Sequence, residues 1–202
     1  TEYDLSVGLE RYAETRTTFT AATIVDHMVM AADINNNLYI MAENDLETTT
    51  LITNLGVTVT DMAYNAADGQ VYGVAEGYLV TIDKLTGELG IVGQIGVLTN
   101  TLACDKNGTF YCNGYGTGNV YSFTLDTIAA PEIVVADIEC EGEALATSYI
   151  QAMEIDPNSG MLCWNSYFEV SYGSWGYGKA YYIEVDPKAG TYTVYNDLWD
   201  EL

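Results

Sequence analysis

The sequence predicts an all-β fold, a β-propeller built from four-stranded antiparallel blades. Short apolar runs alternate with Asx- and glycine-rich turns along most of the 202 residues, and the same internal order of runs recurs four times. No segment of helical period separates these repeats. A lone four-stranded sheet leaves both apolar faces in water, whereas sheets stacked around an axis cover one another. A β-sandwich of meanders, which also needs regular short strands, is the alternative fold.

The composition fits short strands joined by tight turns. The chain has 17 tyrosines and 19 glycines against three prolines, and 49% of it is hydrophobic. Tyrosine favours strands, and glycine supplies the left-handed backbone conformations of tight turns. All-β folds of this length are often one domain with a sizeable core.

The clearest repeat unit covers residues 61–96. Its third run, Tyr78–Asp83, alternates two sets of side chains, which is the pattern of a half-buried strand. The unit predicts four strands at Met62–Tyr64, Val71–Val74, Tyr78–Asp83 and Glu88–Gln94, with turns at Asn65–Gly69, Glu76–Gly77 and Lys84–Gly87.

The whole chain divides in the same way into one domain over residues 1–202. We predict a partial blade at 1–27 and full blades at 28–57, 58–97, 98–140 and 147–197. The first turn of each full blade carries an aspartate or asparagine, namely Asp33, Asn65, Asp105 and Asp156. Small residues at the predicted first strands fit the crowded centre of a propeller; they are Ala31, Ala32, Ala63 and Ala103.

Two further predicted strands, Tyr3–Glu10 and Thr17–Val25, precede the first full blade. They fit the outer half of a fifth blade, whose inner half would come from beyond Leu202. In that case the ring closes by mixing the two termini. The alternative is an incomplete ring.

The repeated form is an Asx turn with glycine, then a hydrophobic residue and tyrosine, then an apolar strand that ends in IDxxTG. Its best copy is YLVTIDKLTGEL at Tyr78–Leu89. Over Met28–Asp197 the chain resembles the repeats of bacterial secreted β-propellers of the broad YVTN/quinoprotein-like group. The first unit departs most, because it lacks the turn glycine and the TG turn. Such propellers often sit in large surface proteins of Gram-positive gut bacteria, so the resemblance implies a secreted or cell-surface location.

The charge is strongly unbalanced, with 29 acidic and six basic residues and a formal net charge of −23. Such a surface repels nucleic acid and anionic membranes, and it attracts cations or basic partners. Its simplest role is to keep an extracellular protein soluble.

No apolar run approaches the roughly 20 residues that span a bilayer, so no membrane insertion is predicted. The chain starts at Thr1 without an initiator Met or signal peptide, so we expect a mature or excised piece of a longer protein.

The cysteines and the single histidine do not form a metal-binding signature. Cys104, Cys112, Cys140 and Cys163 include no CxxC pair, and His27 has no second histidine. Four cysteines allow three full pairings, and free buried thiols are an equal alternative. No metal site and no cofactor is predicted.

The Asx turns resemble the start of an oxygen-ligand calcium loop, most closely at Asp33-x-Asn35-x-Asn37. An EF-hand needs a bidentate glutamate eleven residues after the first aspartate, and these places hold Asn44, Gly116 and Tyr167. The EF-hand is therefore excluded. Because Asx side chains close turns on their own backbone, a structural turn is favoured. Weak calcium binding is the alternative.

The strongest candidate contact surface lies in Trp164–Tyr182, WNSYFEVSYGSWGYGKAYY. Aromatic faces next to hydrogen-bonding groups suit sugar rings or an apolar patch on a protein. We expect Trp164 and Tyr181 to pack in the core. The predicted contact residues, on a surface loop, are Tyr167, Tyr172, Trp175 and Tyr177. The alternative is a loop that packs only against itself.

No catalytic residue is predicted. The sequence has no nucleophile elbow, phosphate loop or HExxH motif. We place His27, beside Asp26, at an interblade junction in a surface or packing role, and the glutamates of DIECEGEALATS in an exposed acidic loop. The sequence thus predicts a non-enzymatic extracellular binding or adhesion module for a glycan or a host or bacterial surface protein. The alternatives are a glycan-processing enzyme whose carboxylates converge in the fold, and a structural spacer of a large surface protein.

Overall fold

The predicted apolar runs form strands in the computed structural model, which describes residues 18–140, 143–145, 151–172 and 175–195. The strands build four antiparallel sheets of four strands each, and every sheet is made from one continuous stretch of chain. No helix occurs among the described residues. The sheets are blades in a ring, so the described residues form a β-propeller of four blades. The predicted strand Tyr3–Glu10 lies outside the described residues.

Each blade runs from its first to its fourth strand in chain order. The first blade consists of β1 (Phe19–Val25), β2 (Met28–Asp33), β3 (Asn37–Ala42) and β4 (Asp45–Asn54). The second consists of β5 (Val59–Asn65), β6 (Gln70–Ala75), β7 (Tyr78–Ile82) and β8 (Leu89–Gln94).

The third blade consists of β9 (Ala103–Cys104), β10 (Phe110–Asn113), β11 (Val120–Phe123) and β12 (Glu132–Val135). A short hairpin follows, made of β13 (Glu139–Cys140) and β14 (Glu143–Ala144). The fourth blade consists of β15 (Ala152–Ile155), β16 (Leu162–Tyr172), β17 (Trp175–Asp186) and β18 (Thr191–Tyr195). The first strands of the blades meet at the centre, where β5 contacts β1, β9 and β15.

The first blade differs from its prediction by one strand. The structure pairs Phe19–Val25 with β2, so this blade begins at Phe19 and not at residue 28. Asp33 therefore lies in the turn between the second and third strands, whereas Asn65, Asp105 and Asp156 lie between the first and second. The prediction missed the β1–β2 turn because Asp26 and His27 adopt positive φ there without a glycine.

The same shift corrects two predicted roles. Ala31 and Ala32 belong to β2, the second strand, while Ala63 and Ala103 lie on the first strands β5 and β9 as predicted. His27 lies in the tight β1–β2 turn and not between two blades along the chain, although the adjacent Asp26 pairs with Lys84 of the second blade at 2.8 Å.

The hydrophobic core consists of three clusters, each lying between two neighbouring blades. One face of the third blade contributes Phe110 and Cys112 to the cluster shared with the second blade. Tyr111 between them points to the cluster shared with the fourth blade, next to Trp164. The third cluster joins the first and second blades around Met30 and Met62. Because a blade between two neighbours is covered on both sides, β7 buries residues of both faces and not of one face as predicted.

The TG turn of the repeat fits this stacking. The Asp83 carboxylate accepts hydrogen bonds from the backbone N–H groups of Leu85 (2.9 Å) and Thr86 (2.8 Å). Gly87 then adopts φ +71°, and a Cβ on it would clash with Thr53 and crowd Leu38 of the first blade. The turn therefore needs glycine both for its backbone conformation and for the close approach of two blades.

Candidate functional site

The two central strands of the fourth blade are unusually long. β16 and β17 have 11 and 12 residues, whereas the equivalent pairs have 6 and 6, 6 and 5, and 4 and 4 residues. β15 pairs with β16 only as far as Asn165, and β18 pairs with β17 only from Tyr182 onwards. Within the described residues, 166–172 and 175–181 pair only with each other and form a two-stranded ribbon, which we call the aromatic ribbon.

The aromatic ribbon holds all four predicted contact residues. Tyr172 lies directly opposite Trp175, Val170 opposite Tyr177, and Tyr167 opposite Ala180. Opposed residues share a face and neighbours along a strand alternate, so the register assigns Tyr172, Trp175 and Tyr177 to one face and Tyr167 to the other. The side chains of residues 167–179 lie outside the described part of the structure, so their role in contact stays a prediction.

The prediction that this segment is a surface loop is wrong, because the segment forms the strands β16 and β17. Tyrosine, phenylalanine and valine at alternating positions favour a strand, and this preference outweighs Gly176 and Gly178 in β17. The contact residues therefore belong to a hydrogen-bonded ribbon.

The base of the aromatic ribbon is anchored in the core. Trp164 is fully buried, and its Nε1–H donates a 2.7 Å hydrogen bond to Oε1 of Gln151. Ser166 and Tyr181 lie directly opposite each other, and both are buried. The predicted core positions of Trp164 and Tyr181 are confirmed.

The opposite face of the base carries a polar cluster that the sequence did not predict. The Tyr182 hydroxyl lies 3.1 Å from the Cys163 Sγ and 3.4 Å from Oε1 of Glu184. The Tyr195 hydroxyl donates a 2.8 Å hydrogen bond to Oε2 of Glu184, and the two tyrosine rings are 5.5 Å apart. The hydrogen bond to Cys163 raises the pKa of Tyr182, so this hydroxyl stays protonated at neutral pH. These contacts fix the β16–β17–β18 register where the aromatic ribbon begins.

The propeller centre contains a second group of polar residues. The buried Asp61 carboxylate on β5 accepts hydrogen bonds from the backbone N–H groups of Met62 (3.0 Å), Leu102 (2.9 Å) and Met153 (3.0 Å). Burial raises its pKa well above the usual range. Because its oxygens bind backbone groups from three blades, Asp61 serves to hold the centre together.

Glu154 on β15 is the more accessible carboxyl group at this centre. The residue keeps contact with solvent although protein surrounds its carboxyl group, and its Oε1 accepts a 2.9 Å hydrogen bond from the N–H of Ile155. Desolvation by the surrounding protein raises its pKa to about 7. Burial raises the pKa of the neighbouring Cys104 thiol to about 12, so this thiol is not a nucleophile at neutral pH. A carboxylate inside an otherwise apolar strand was the sequence signal that could have identified Asp61 and Glu154.

The Asx turns are structural. Oδ1 of Asp33 accepts 2.8 Å hydrogen bonds from the N–H groups of Asn35 and Asn37, and Oδ1 of Asp105 accepts from Asn107 and Thr109 at 2.8 and 2.9 Å. These oxygens thus close their own turns, which supports the structural interpretation. Within residues 18–140, 143–145, 151–172 and 175–195, no group of three or more His, Cys, Asp or Glu is placed to hold a metal ion.

The other residues that the sequence analysis considered lie outside the aromatic ribbon and the group around Asp61. The His27 side chain is 91% exposed, with Nδ1 3.4 Å from Oε1 of Glu43. Glu139 is exposed on β13, and Glu141 lies outside the described residues. All four cysteines are free thiols; Cys104, Cys112 and Cys140 are buried and Cys163 is half-buried. The described chain contains no helix with the length and apolarity that a membrane crossing requires.

Comparison with known proteins finds structures of similar shape and leaves the activity open. No protein-family model matches the sequence, and no protein of curated function matches it. A chain of a nidogen/laminin complex is similar in structure, with a TM-score of 0.55 and 12% identity over 89% of this chain and 80% of that one. Glutaminyl cyclase of Myxococcus xanthus has a TM-score of 0.52 and 14% identity over 76% of this chain and 69% of its own.

A third similar structure is the β-propeller domain of Myceliophteria thermophila Cps50 (Swd1). Its TM-score is 0.40 at 13% identity, over 82% of this chain and 53% of that one. Sequence identities this low indicate a shared fold only. The four blades of the chain itself define it as a β-propeller, and its function has to be inferred from its own surface.

Proposed function

We propose that this protein is a non-enzymatic extracellular binding module that contacts its ligand through the aromatic ribbon. The length of β16 and β17 is the observation that carries the proposal. Three blades of this propeller fold with central strands of four to six residues. Ordering the additional strand length of the fourth blade costs conformational entropy, and in the described chain this length pairs only within the ribbon. A role in recognition accounts for it.

The composition of the aromatic ribbon supports a glycan or a surface protein as the ligand. Tyrosine and tryptophan combine a flat apolar face with a polar group, and they dominate the energetics of binding surfaces. The repeat motif resembles that of bacterial secreted propellers, which supports a host or bacterial surface as the site of action. The net charge of −23 disfavours nucleic acid and anionic membranes as ligands.

The test compares ribbon variants with a variant of an exposed tyrosine elsewhere. Trp175→Ala and Tyr177→Ala should weaken binding to any ligand found on glycan or surface-protein arrays by at least about tenfold, as is typical of aromatic hot spots. Tyr78→Ala is the matched control, because Tyr78 is an exposed tyrosine on β7 in another blade. Unchanged affinity of both ribbon variants, with folding intact, would remove the aromatic ribbon as the contact surface.

A glycan-processing enzyme is the second candidate, and Glu154 is the observation that favours it. An accessible carboxyl group with a pKa of about 7 lies in the range that general acid–base catalysis uses. A glycan-hydrolysis screen of the wild-type chain and Glu154→Gln tests this candidate. Hydrolysis that is lost in Glu154→Gln would replace the binding proposal. A chain without activity and without any ligand on the arrays would instead be a structural spacer.

A further inference from the structure

A groove lies between the second and third blades, away from the aromatic ribbon. Its volume is about 450 Å³, which is within the range of ligand-binding pockets. The β6–β7 turn forms one wall and the β8–β9 connection forms another. Its lining includes Glu76, Gln94, Gly96, Val97, Leu98 and Ala129.

The walls of this groove are held by the backbone. The N–H of Ile95 donates to the carbonyl oxygen of Gly77 at 3.1 Å, and the N–H of Gly96 donates to that of Ile128 at 2.9 Å. Gly96 has no space for a side chain, because a Cβ would clash with the carbonyl group of Ala129. The groove is therefore a pre-formed feature of the contact between two blades.

Glu76 occupies an unfavourable backbone position at the edge of this groove. Glu76 and Gly77 have φ values of +52° and +82°, which is the pattern of a type I′ hairpin turn. Asparagine, aspartate or glycine usually takes the first position, and a left-handed conformation costs other residues about 1–2 kcal/mol. Strain of this kind concentrates at functional positions. A carboxylate is thus present where the turn itself disfavours glutamate.

Leu98 adds an apolar contact to the same groove. Its side chain is 63% exposed, and Val97 beside it is half-buried. Glu76 is the single charged residue among those that line the groove within the described chain. Negative charge and aliphatic surface therefore lie side by side on an acidic protein.

We propose that this groove binds a short segment of a basic partner protein. An aliphatic side chain of the partner packs on Leu98 and Val97, and a neighbouring lysine or arginine pairs with the Glu76 carboxylate. Charge complementarity selects this partner, because the groove offers a carboxylate and no cation, on a chain with a net charge of −23. The groove lies outside the aromatic ribbon, so this inference does not depend on the proposed function.

The test is an NMR titration of the isotopically labelled chain with N-acetyl-Leu-Lys-amide, with N-acetyl-Leu-Glu-amide as the matched probe. We expect the lysine peptide to shift the amide signals of Gly77, Gly96 and Leu98 with a dissociation constant on the order of 1 mM. The glutamate peptide should shift them by less than about a fifth as much, because it faces the Glu76 carboxylate. Equal responses to both peptides would overturn the proposal.

Two pairs of variants locate the contact. Glu76→Gln should weaken binding of the lysine peptide at least about fivefold, and Glu88→Gln, at an exposed glutamate outside the groove, should leave it unchanged. Leu98→Ala should also weaken it, in contrast to Leu85→Ala, which removes another exposed leucine. Amide spectra of each free variant establish that it is folded. Binding that survives both Glu76→Gln and Leu98→Ala would rule out this site.

Discussion

Oδ2 of Asp61 accepts a 3.0 Å hydrogen bond from the backbone N–H of Met153, 92 residues further along the chain. The same oxygen accepts a 2.9 Å hydrogen bond from the N–H of Leu102, just before β9. One carboxylate on the second blade thus binds the inner edges of the third and fourth.

Asp61→Ala should therefore destabilise the propeller strongly. The substitution leaves three buried N–H groups without an acceptor, and we expect the free energy of unfolding to fall by about 3 kcal/mol. Asp83→Ala is the matched control, because Asp83 also accepts backbone hydrogen bonds but is exposed, so water replaces it. The control should lose about 1 kcal/mol in urea unfolding. Equal losses would mean that Asp61 is not a central link.

Gly56 and Gly87 share one backbone conformation, so variants of the two can distinguish the cost of backbone strain from the cost of a steric clash. Gly56 and Gly87 both have φ +71°, but only at Gly87 does a Cβ meet other atoms within 4 Å. We expect Gly56→Ala to lower the free energy of unfolding by about 1 kcal/mol from backbone strain alone. Gly87→Ala should lower it by about 3 kcal/mol, because Thr53 and Leu38 must also move. A similar loss for both variants in urea unfolding would contradict the close contact between blades.

The aromatic ribbon should be removable without loss of the fold. Replacing residues 167–180 by Asn-Gly joins Ser166 to Tyr181, which already lie opposite each other, through a two-residue type I′ turn. The expected change in Tm is less than about 4 °C, since a two-stranded hairpin adds little stability. Trp164→Ala, in the buried base, should in contrast lower the free energy of unfolding by about 4 kcal/mol. An unfolded ribbon deletion would show that the ribbon belongs to the core.

Stability should pass through a maximum between about pH 4 and pH 5, close to the ordinary pKa values of aspartate and glutamate. The Glu154 carboxyl binds its proton more tightly in the folded chain, so its contribution is present at low pH, begins to decline above the ordinary pKa of 4.5 and is lost above about pH 7. Burial raises the pKa of Asp61 as well, so Asp61 adds to this decline. Hydrogen bonds in exposed turns lower the pKa values of Asp83 and Asp156, so their contributions are lost as the pH falls below the ordinary aspartate range. In the variant Glu154→Gln, the Tm should fall less steeply between pH 5 and pH 8 than it does in the wild-type chain. If the Tm of the variant falls as steeply as that of the wild-type chain, groups other than Glu154 cause the pH dependence.

One of the four thiols should react in the folded protein. Cys163 is half-buried, whereas burial raises the pKa of Cys104 and of Cys112 to about 12 and Cys140 is also buried. A thiol reagent should titrate one group in buffer and four in denaturant. The variant Cys163→Ser should titrate none before unfolding. Fewer than four thiols in denaturant, without added reductant, would indicate a disulfide that the structure does not contain.

Local turn chemistry made most of the fold predictable. Asn65, Asp105 and Asp156 mark the first turn of three blades, because an Asx side chain followed by glycine closes a tight turn by itself. The outer strands follow from the turns that start at Asp83 and Asp186, whose carboxylates accept hydrogen bonds from the next turn residues. Such signals are contained within about five residues and can be recognised in one sequence.

Features that depend on distant contacts could not be predicted in this way. The first blade was misplaced because its Asp33 turn imitates the Asx turn of the other blades, while Asp26 and His27 form a tight turn without glycine. The importance of Asp61 depends on partners 41 and 92 residues away. In the aromatic ribbon, glycines suggested a loop, and only the pairing of β16 with β17 shows the strands.

Each blade is made from one uninterrupted segment, and within the described chain no strand from one end of the sequence completes a sheet at the other. The blades are consequently joined by side-chain packing and single hydrogen bonds, while every complete ladder of backbone bonds stays inside a blade. Under mechanical tension we expect the blades to separate from one another before any single sheet unravels. For the same reason the gene can gain or lose a whole unit without cutting through a sheet.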